Sequence, residues 1–336
     1  MVRNPSNACP FCRCDESQTL FSRNDIPLLR CRDCGHRFCP SGTKGADRIA
    51  SQFDDDYFFG GESCYEDYSA MGPDLQRKGA YYSKILKRNL SQTGLRNPKI
   101  LDVGCAAGYL LEGFANQGWN TTGLEANQTM AKYGRFELGL DVHHSTIEDF
   151  RSQESYHAAS LVQVLPHLTD PYKALNQIHD KLLPGGLLLI ETWNCESLAA
   201  KALGRNWHEY NPPSVLHWFS KQSLSDQLEY CDFEIVEMGR PVKWINLGNA
   251  AAALKKSVSE SRLLSALAAP TQLLPSWLKV PYPMDDCFWL VARKKAKVLA
   301  PVSVAASLGQ EKAEMEIVRT VCADQSFGED RRNYEW

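Results

Sequence analysis

Apolar residues fall along this chain in short runs separated by polar or helix-periodic stretches, and the rhythm is clearest from Lys99 onward. "KILDV" is an apolar run that suits a buried strand, and "GYLLEGF" starts a helical pattern directly after it. "WNTTGLE" predicts a second strand, "NQTMAKYGRFELG" a helix, "LDVHH" a short third strand and "YHAASLVQV" a fourth. "DPYKALNQIHDKLL" predicts a helix with Asp170 at its cap and Pro171 in its first turn, ended by "LLPGG". "LLLIETW" is so uniformly apolar that it belongs in the sheet interior. A helix at "SKQSLSDQLEYC" and strands at "FEIVEMG" and "DCFWLVARKK" complete the series. Seven strands alternating with helices predict a doubly wound, mostly parallel α/β sheet. Such sheets bind ligands at the carboxyl ends of their strands, near the switch point. That puts the turn Gly104–Gly108, between the first strand and its helix, at the site.

Outside this alternation the pattern changes. Residues 1–40 are rich in cysteine, and residues 41–73 form an acidic, aromatic connector, "DDDYFFGGESCYEDY". The alternating domain spans 74–297, and a polar tail at 298–336 is expected to be disordered. Between Leu247 and Pro283 an Ala- and Leu-rich stretch predicts one or two helices packed over the acceptor side of the sheet.

Composition narrows the class. With 336 residues, 43% apolar and 23% charged, the chain can build one large domain and a small one. Its net charge of −3 offers no general attraction to nucleic acid or anionic membrane. No apolar run approaches the roughly 20 residues that span a bilayer, and "MVRNPSNACP" lacks the apolar stretch of a secretory signal. A cytoplasmic location is the expectation.

Six of the twelve cysteines fall between residues 9 and 39. Cys9-Pro-Phe-Cys12 and Cys31-Arg-Asp-Cys34 are 18 residues apart, a zinc-ribbon spacing. Two-residue gaps let each thiolate pair reach one tetrahedral ion, and a closed four-cysteine set is structural. Forty residues hold too little core to fold without such a staple. Residues 1–50 carry eight Lys and Arg against five acidic residues, but residues 51–70 carry six acidic residues and no basic one. The basic stripe of a nucleic-acid reader is missing. Phe11, Phe21 and Phe38 suit base stacking or the ribbon's own core equally.

Two cofactors compete for the glycine turn, a nicotinamide dinucleotide and S-adenosylmethionine. The dinucleotide fingerprint fails, because Ala106 and Tyr109 stand where its second and third glycines belong. Glu125 ends the second strand, 17 residues after Gly108. A carboxylate there can accept from both ribose hydroxyls of either cofactor.

Together "ILDVGCAAGYLL", "GLEAN", "LTDPYKALNQIHDKLLPGGLLLIET" and "GRNWHEYNPPSVLHWFS" resemble the class I S-adenosylmethionine-dependent methyltransferases, in the bacterial branch with an N-terminal zinc ribbon and a "YxDY" connector. The resemblance runs from Cys9 to about Lys294. It implies that Gly104, Ala106 and Gly108 line the methionine moiety and that Asp102 helps hold its amino group. It further implies that Glu125 takes the ribose with Ala126 beside it, that Thr146 and Ile147 touch adenine, and that Gln163 faces the cofactor. Tyr65 would close over it. Ala106 replaces a usual glycine, and Thr146 a frequent aspartate.

Methyl transfer is an in-line displacement helped by positioning, and a hydroxyl or carbon acceptor also needs a base. His167 and His217 stand where the family commonly has Glu-His pairs; here Pro166 and Leu216 replace the glutamates. His217 would roof the acceptor site, with Trp207, His208 and Tyr210 as either an aromatic wall or a small core of the roof itself. The adjacent His143 and His144 point to opposite faces of a strand and are read as structural. The resemblance implies a small or sugar-like acceptor, in natural-product or surface-polysaccharide chemistry. The alternatives are an RNA methyltransferase gripping substrate with the ribbon, and a cofactor-binding module without catalysis.

Overall fold

The computed structural model describes residues 7–40, 42, 68–90, 95–241, 244–246, 279–281 and 285–295. Tyr65, most of the connector, most of the Ala- and Leu-rich stretch and the tail lie outside the described residues.

The chain begins with a ribbon. β1 (Ser17–Arg23) and β2 (Ile26–Cys31) form an antiparallel hairpin. Its turn residues Asn24 and Asp25 both take left-handed φ, 51° and 60°, which suits the two residue types that tolerate it in a tight hairpin. β3 (Arg37–Phe38) pairs antiparallel with β2. Next comes helix α1 (Gly72–Asn89), with Leu75, Tyr82, Ile85 and Leu86 at helical spacing. It crosses a second helix so closely that a Cβ on Gly79 would lie 2.3 Å from the carbonyl oxygen of Leu110.

The alternating domain then follows the expected order. β4 (Lys99–Val103) leads to α2 (Tyr109–Ala115), β5 (Asn120–Glu125), α3 (Gln128–Phe136) and β6 (Val142–His144). β7 (Tyr156–Val162) leads to α4 (Pro171–Lys181) and β8 (Leu182–Trp193). The side chain of Asp170 caps α4, accepting from the N–H of Lys173 at 2.9 Å. β8 starts earlier than expected. "LLPGG" ends the helix but is absorbed as an irregular first stretch of the strand, which pairs at Leu182, slips and resumes pairing at Leu187. α5 (Leu198–Leu203), β9 (His217–Trp218), α6 (Lys221–Tyr230), β10 (Phe233–Gly239), the small ladder β11 (Trp244–Asn246) with β12 (Lys279–Pro281), and β13 (Cys287–Lys294) complete the described elements.

Seven strands make the central sheet in the order β10-β13-β8-β7-β4-β5-β6. β8 through β6 run parallel, and β13 is antiparallel to both its neighbours. The chain moves from β4 to β6 in one direction and from β7 to β8 in the other. Its switch point therefore lies between β4 and β7. One face of the sheet buries Ile100, Leu187 and Leu189 beneath Tyr82, Ile85 and Phe114 of α1 and α2. The opposite face buries Leu101, Leu161, Leu188 and Ile190 beneath Leu175, Ile178 and Leu228 of α4 and α6.

The ribbon is continuous with this domain. β9, far downstream in the chain, adds to β3, with Arg37 opposite Trp218 and Phe38 opposite His217, and completes a four-stranded sheet β1-β2-β3-β9. The described residues up to Lys295 pack as one compact unit.

Candidate active site and metal centre

The carboxyl end of β4 opens into a turn built on three left-handed residues, Gly104 (φ 73°), Ala106 (φ 48°) and Gly108 (φ 92°). A Cβ at Gly104 would meet Val164 Cγ2 at 2.5 Å, and one at Gly108 would meet Leu140 Cδ1 at 2.7 Å. Both positions need glycine for space as well as for φ. Ala106 holds a conformation that L-residues visit rarely, and its N–H explains how. It donates to Glu125 Oε2 at 2.8 Å, while the N–H of Asn127 donates to Oε1 at 2.7 Å. One carboxylate thus ties the glycine turn to the end of β5. Glu125 is 7% exposed, and burial raises its pKa. Each of its oxygens keeps a second lone pair, enough to accept two ribose hydroxyls.

The neighbouring residues gather around that carboxylate. The N–H of Ser145 donates to the Glu125 carbonyl at 3.0 Å, bringing Thr146 and Ile147 beside it. Thr146 Oγ1 is engaged with Asp149, and the Ile147 side chain is buried in the core with Leu124 and Phe150. The exposed Ala126 has its carbonyl 2.9 Å from His144 Nε2. Asp102 is fully buried on β4 and accepts from Ser160 Oγ at 2.7 Å through Oδ1. Its Oδ2 has no partner among the described residues. Burial, offset in part by the Ser160 bond, pushes this carboxyl up to about 7. A buried acceptor left open beside a turn of left-handed residues and a ribose-ready carboxylate fits an adenosine cofactor that carries an amino acid. Tyr68, three residues after Tyr65, packs with Ala106 and Ala107 of the turn, its ring 5.9 Å from that of Tyr109.

On the other side of the switch point lie Gln163 and His167. Gln163 directly follows β7 with φ 62°, and its Nε2 donates to Glu191 Oε1 at 3.0 Å. His167 Nδ1 is 2.6 Å from the carbonyl oxygen of Ser214. That carbonyl can only accept, so Nδ1 bears the hydrogen and Nε2 holds the lone pair of the neutral ring. Burial lowers its pKa. Its ring meets Trp193, at the end of β8, edge-on at 5.7 Å.

His217 lies next to His167 and Leu168 but engages the ribbon. It is 3% exposed on β9, where its Nδ1 lies 3.1 Å from His36 Nε2 of the ribbon and the two rings stack at 5.4 Å. Burial drives its pKa down to about 3. Its ring is engaged at the junction of the ribbon and the domain. Trp207 and Tyr210 belong to the same junction, buried with Leu28, Val215 and Leu216. They form the roof's small core instead of a substrate wall. His208 is exposed beside Glu209. Arg37 cements the junction, donating to Tyr210 Oη at 2.7 Å and to the Cys195 carbonyl at 3.2 Å. Asn24 Nδ2 donates to the Pro212 carbonyl at 2.7 Å.

At the ribbon's tip Cys9, Cys12, Cys31 and Cys34 bring their sulfurs within 4.8 Å of one another. The pairs Cys9–Cys34 and Cys12–Cys31 stand 3.5 and 3.4 Å apart. Tetrahedral zinc with Zn–S bonds near 2.3 Å wants sulfurs about 3.8 Å apart, so the four thiols fit a structural zinc ion. The hydrogen bond between Cys9 and Cys34 lowers the pKa of the Cys34 thiol. Phe11 and Phe38 are buried, Phe11 edge-on to His36, Tyr172 and Phe219. Neither ring is presented for stacking on a base. Among the described residues no helix is long and apolar enough to cross a membrane.

One cluster at the site gave no sequence signal. Glu191 on β8 is fully buried and pairs with Lys78 Nζ at 3.0 Å and with the hydroxyl of Tyr82, both from α1. Their helical spacing was legible, but nothing local links α1 to β8.

The sequence profile of the family described as "Methyltransferase domain" matches residues 75–238. The ubiquinone biosynthesis O-methyltransferase of Haemophilus ducreyi is 30% identical over 187 residues, covering 47% of this chain and 79% of that protein. The protein of the same name from Actinobacillus pleuropneumoniae is 31% identical over 161 residues, 40% of this chain and 68% of that protein. Among solved structures, the 1,6-didemethyltoxoflavin-N1-methyltransferase of Burkholderia thailandensis aligns with a TM-score of 0.48 at 15% identity, over 83% of this chain and 99% of that one.

Proposed function

Because this chain belongs to the class I S-adenosylmethionine-dependent methyltransferases, we propose that it methylates a small or sugar-like metabolite at the carboxyl ends of β7 and β8, with His167 as the base. The cofactor, when bound, supplies an electrophilic methyl group on a sulfonium. Glu125 holds its ribose, and the Gly104–Gly108 turn and Asp102 hold its methionine end. Thr146 and Ile147 border its adenine. The acceptor enters opposite the turn, beside His167 and Trp193.

The observation that carries this reading is the Ser214 carbonyl on His167 Nδ1. It fixes the tautomer that leaves Nε2 basic, at the strand end where an acceptor must approach. Positioned bases of this kind contribute about 10²–10⁴-fold. A small acceptor is supported by the buried ribbon phenylalanines and by a roof whose aromatic residues are spent on its own core. The curated relatives are named for a small-molecule O-methylation, in keeping with that size class.

The test is transfer of labelled methyl from S-adenosylmethionine into a fractionated cell extract, with His167→Ala alongside. Label in the low-mass soluble fraction, lowered about 100-fold or more in the variant at unchanged S-adenosylhomocysteine affinity, is expected. Label in a nuclease-sensitive precipitate would favour the RNA reading, and no label at all the non-catalytic one.

A further inference from the structure

We infer that Glu191 is a positioning residue: it orients the amide of Gln163 so that the Gln163 carbonyl oxygen and Asp102 Oδ2 together receive the α-ammonium group of the cofactor. The inference rests on the cofactor reading above.

Glu191 is fully buried, and donors surround it. Lys78 Nζ and Gln163 Nε2 both reach Oε1 at 3.0 Å, and the Tyr82 hydroxyl donates to Oε2. A carboxylate held ionised by a lysine only accepts hydrogen bonds. It therefore takes the NH₂ end of the amide and dictates which way Gln163 faces. Cys287 Sγ, 3.1 Å from the same Nε2, adds to that preference. The backbone is tied to the same residue, the Gln163 N–H donating to the Glu191 carbonyl at 2.9 Å.

The consequence is an acceptor left over. Gln163 Oε1 is buried and has no partner among the described residues, as is Asp102 Oδ2 on the adjacent strand. β4 and β7 pair directly, with Asp102 opposite Ser160. Gly104, two residues after Asp102, packs against Val164, the residue after Gln163. Two open acceptors thus flank the switch point at the foot of the glycine turn. Buried acceptors are a standing cost until a donor arrives. A group with several N–H donors and a positive charge suits both at once. With the ribose held by Glu125 on the β5 side, the amino-acid end of the cofactor falls at this switch point. Lys78 already neutralises Glu191, so the buried carboxylate acts through Gln163 and does not itself bind the cation.

A purely structural role, tying α1 to β8, makes a different prediction, and two ligands separate them. S-adenosylhomocysteine carries the amino-acid end; methylthioadenosine keeps the nucleoside and thioether but lacks it. Calorimetric titration of Glu191→Leu should show S-adenosylhomocysteine weakened at least tenfold and methylthioadenosine within twofold of the parent chain. Glu191→Gln, whose own carbonyl can still take the Gln163 amide, should recover part of the loss. Gln163→Leu leaves the Glu191–Lys78–Tyr82 cluster in place and should reproduce the selective loss even if Glu191→Leu folds poorly. Equal weakening of both ligands in Gln163→Leu, or no change in either, would overturn the inference. Binding of neither ligand by the parent chain would remove the cofactor reading, and this inference with it.

Discussion

Gly104 joins the two halves of the site through a single missing methyl group. Its φ of 73° and the 2.5 Å approach of Val164 both forbid a side chain. Gly104→Ala should cost about 1–3 kcal/mol in denaturant unfolding, and pairing it with Val164→Ala should return only the steric part. His217 gives a prediction in pH. Its native pKa of about 3 lies below the roughly 6.5 of an unfolded histidine, so the unfolded chain binds more protons between those values. Its contribution is full above about pH 6.5 and is lost as pH falls toward 3, with a slope of up to about 1.4 kcal/mol per pH unit. Urea unfolding at pH 7 and pH 5 should show a smaller loss in His217→Phe than in the parent chain; an equal loss would contradict this role. At this scale the sequence was legible where chemistry is local. The glycine turn, Glu125 and the four cysteines could be read from spacing alone. His217 could not, because its partner His36 lies 181 residues away, nor could Glu191, whose partners are 113 and 109 residues distant.

Among the elements, β9 has the largest consequence for its size. Its two residues pair with β3, and Leu216 bonds the Cys39 N–H at 2.9 Å just before it. The same residue's N–H donates to the Pro166 carbonyl, next to His167. Ribbon, roof and candidate base are therefore linked by backbone hydrogen bonds. Removing zinc with a chelator should erase hydrogen-exchange protection at Arg37–Phe38 and at His217–Trp218 together. S-adenosylhomocysteine affinity should change less than threefold, because β4 and β5 share no ladder with the ribbon. Loss of protection confined to the ribbon would show that the roof stands without it. α4 offers a simpler check: Asp170→Ala removes its cap and should cost about 1 kcal/mol. Strands and most helices were legible from periodicity and caps. α1 was not singled out, although Leu75, Tyr82 and Ile85 carry its period, because a preceding connector without apolar rhythm masked its start. The ribbon's fourth strand had no pattern at all, since two residues cannot show one.

For the whole molecule, topology does most of the positioning. Reversal of strand order between β4 and β7 opens the sheet where the glycine turn emerges. Glu125, and Gln163 with His167, fall on opposite flanks of that opening. The seven-stranded sheet and its alternation were plain in the sequence. The merger of ribbon and domain into one unit was not, because it depends on contacts made only once both have folded. The central claim is that Glu125 and the Gly104–Gly108 turn hold S-adenosylmethionine. Isothermal titration of the zinc-loaded chain with S-adenosylhomocysteine, beside Glu125→Ala, tests it most directly. One site per chain is expected, weakened at least about 100-fold in the variant, since two hydrogen bonds to a charged group are worth about 1.5–3 kcal/mol each. Equal affinity in the two proteins would contradict the account.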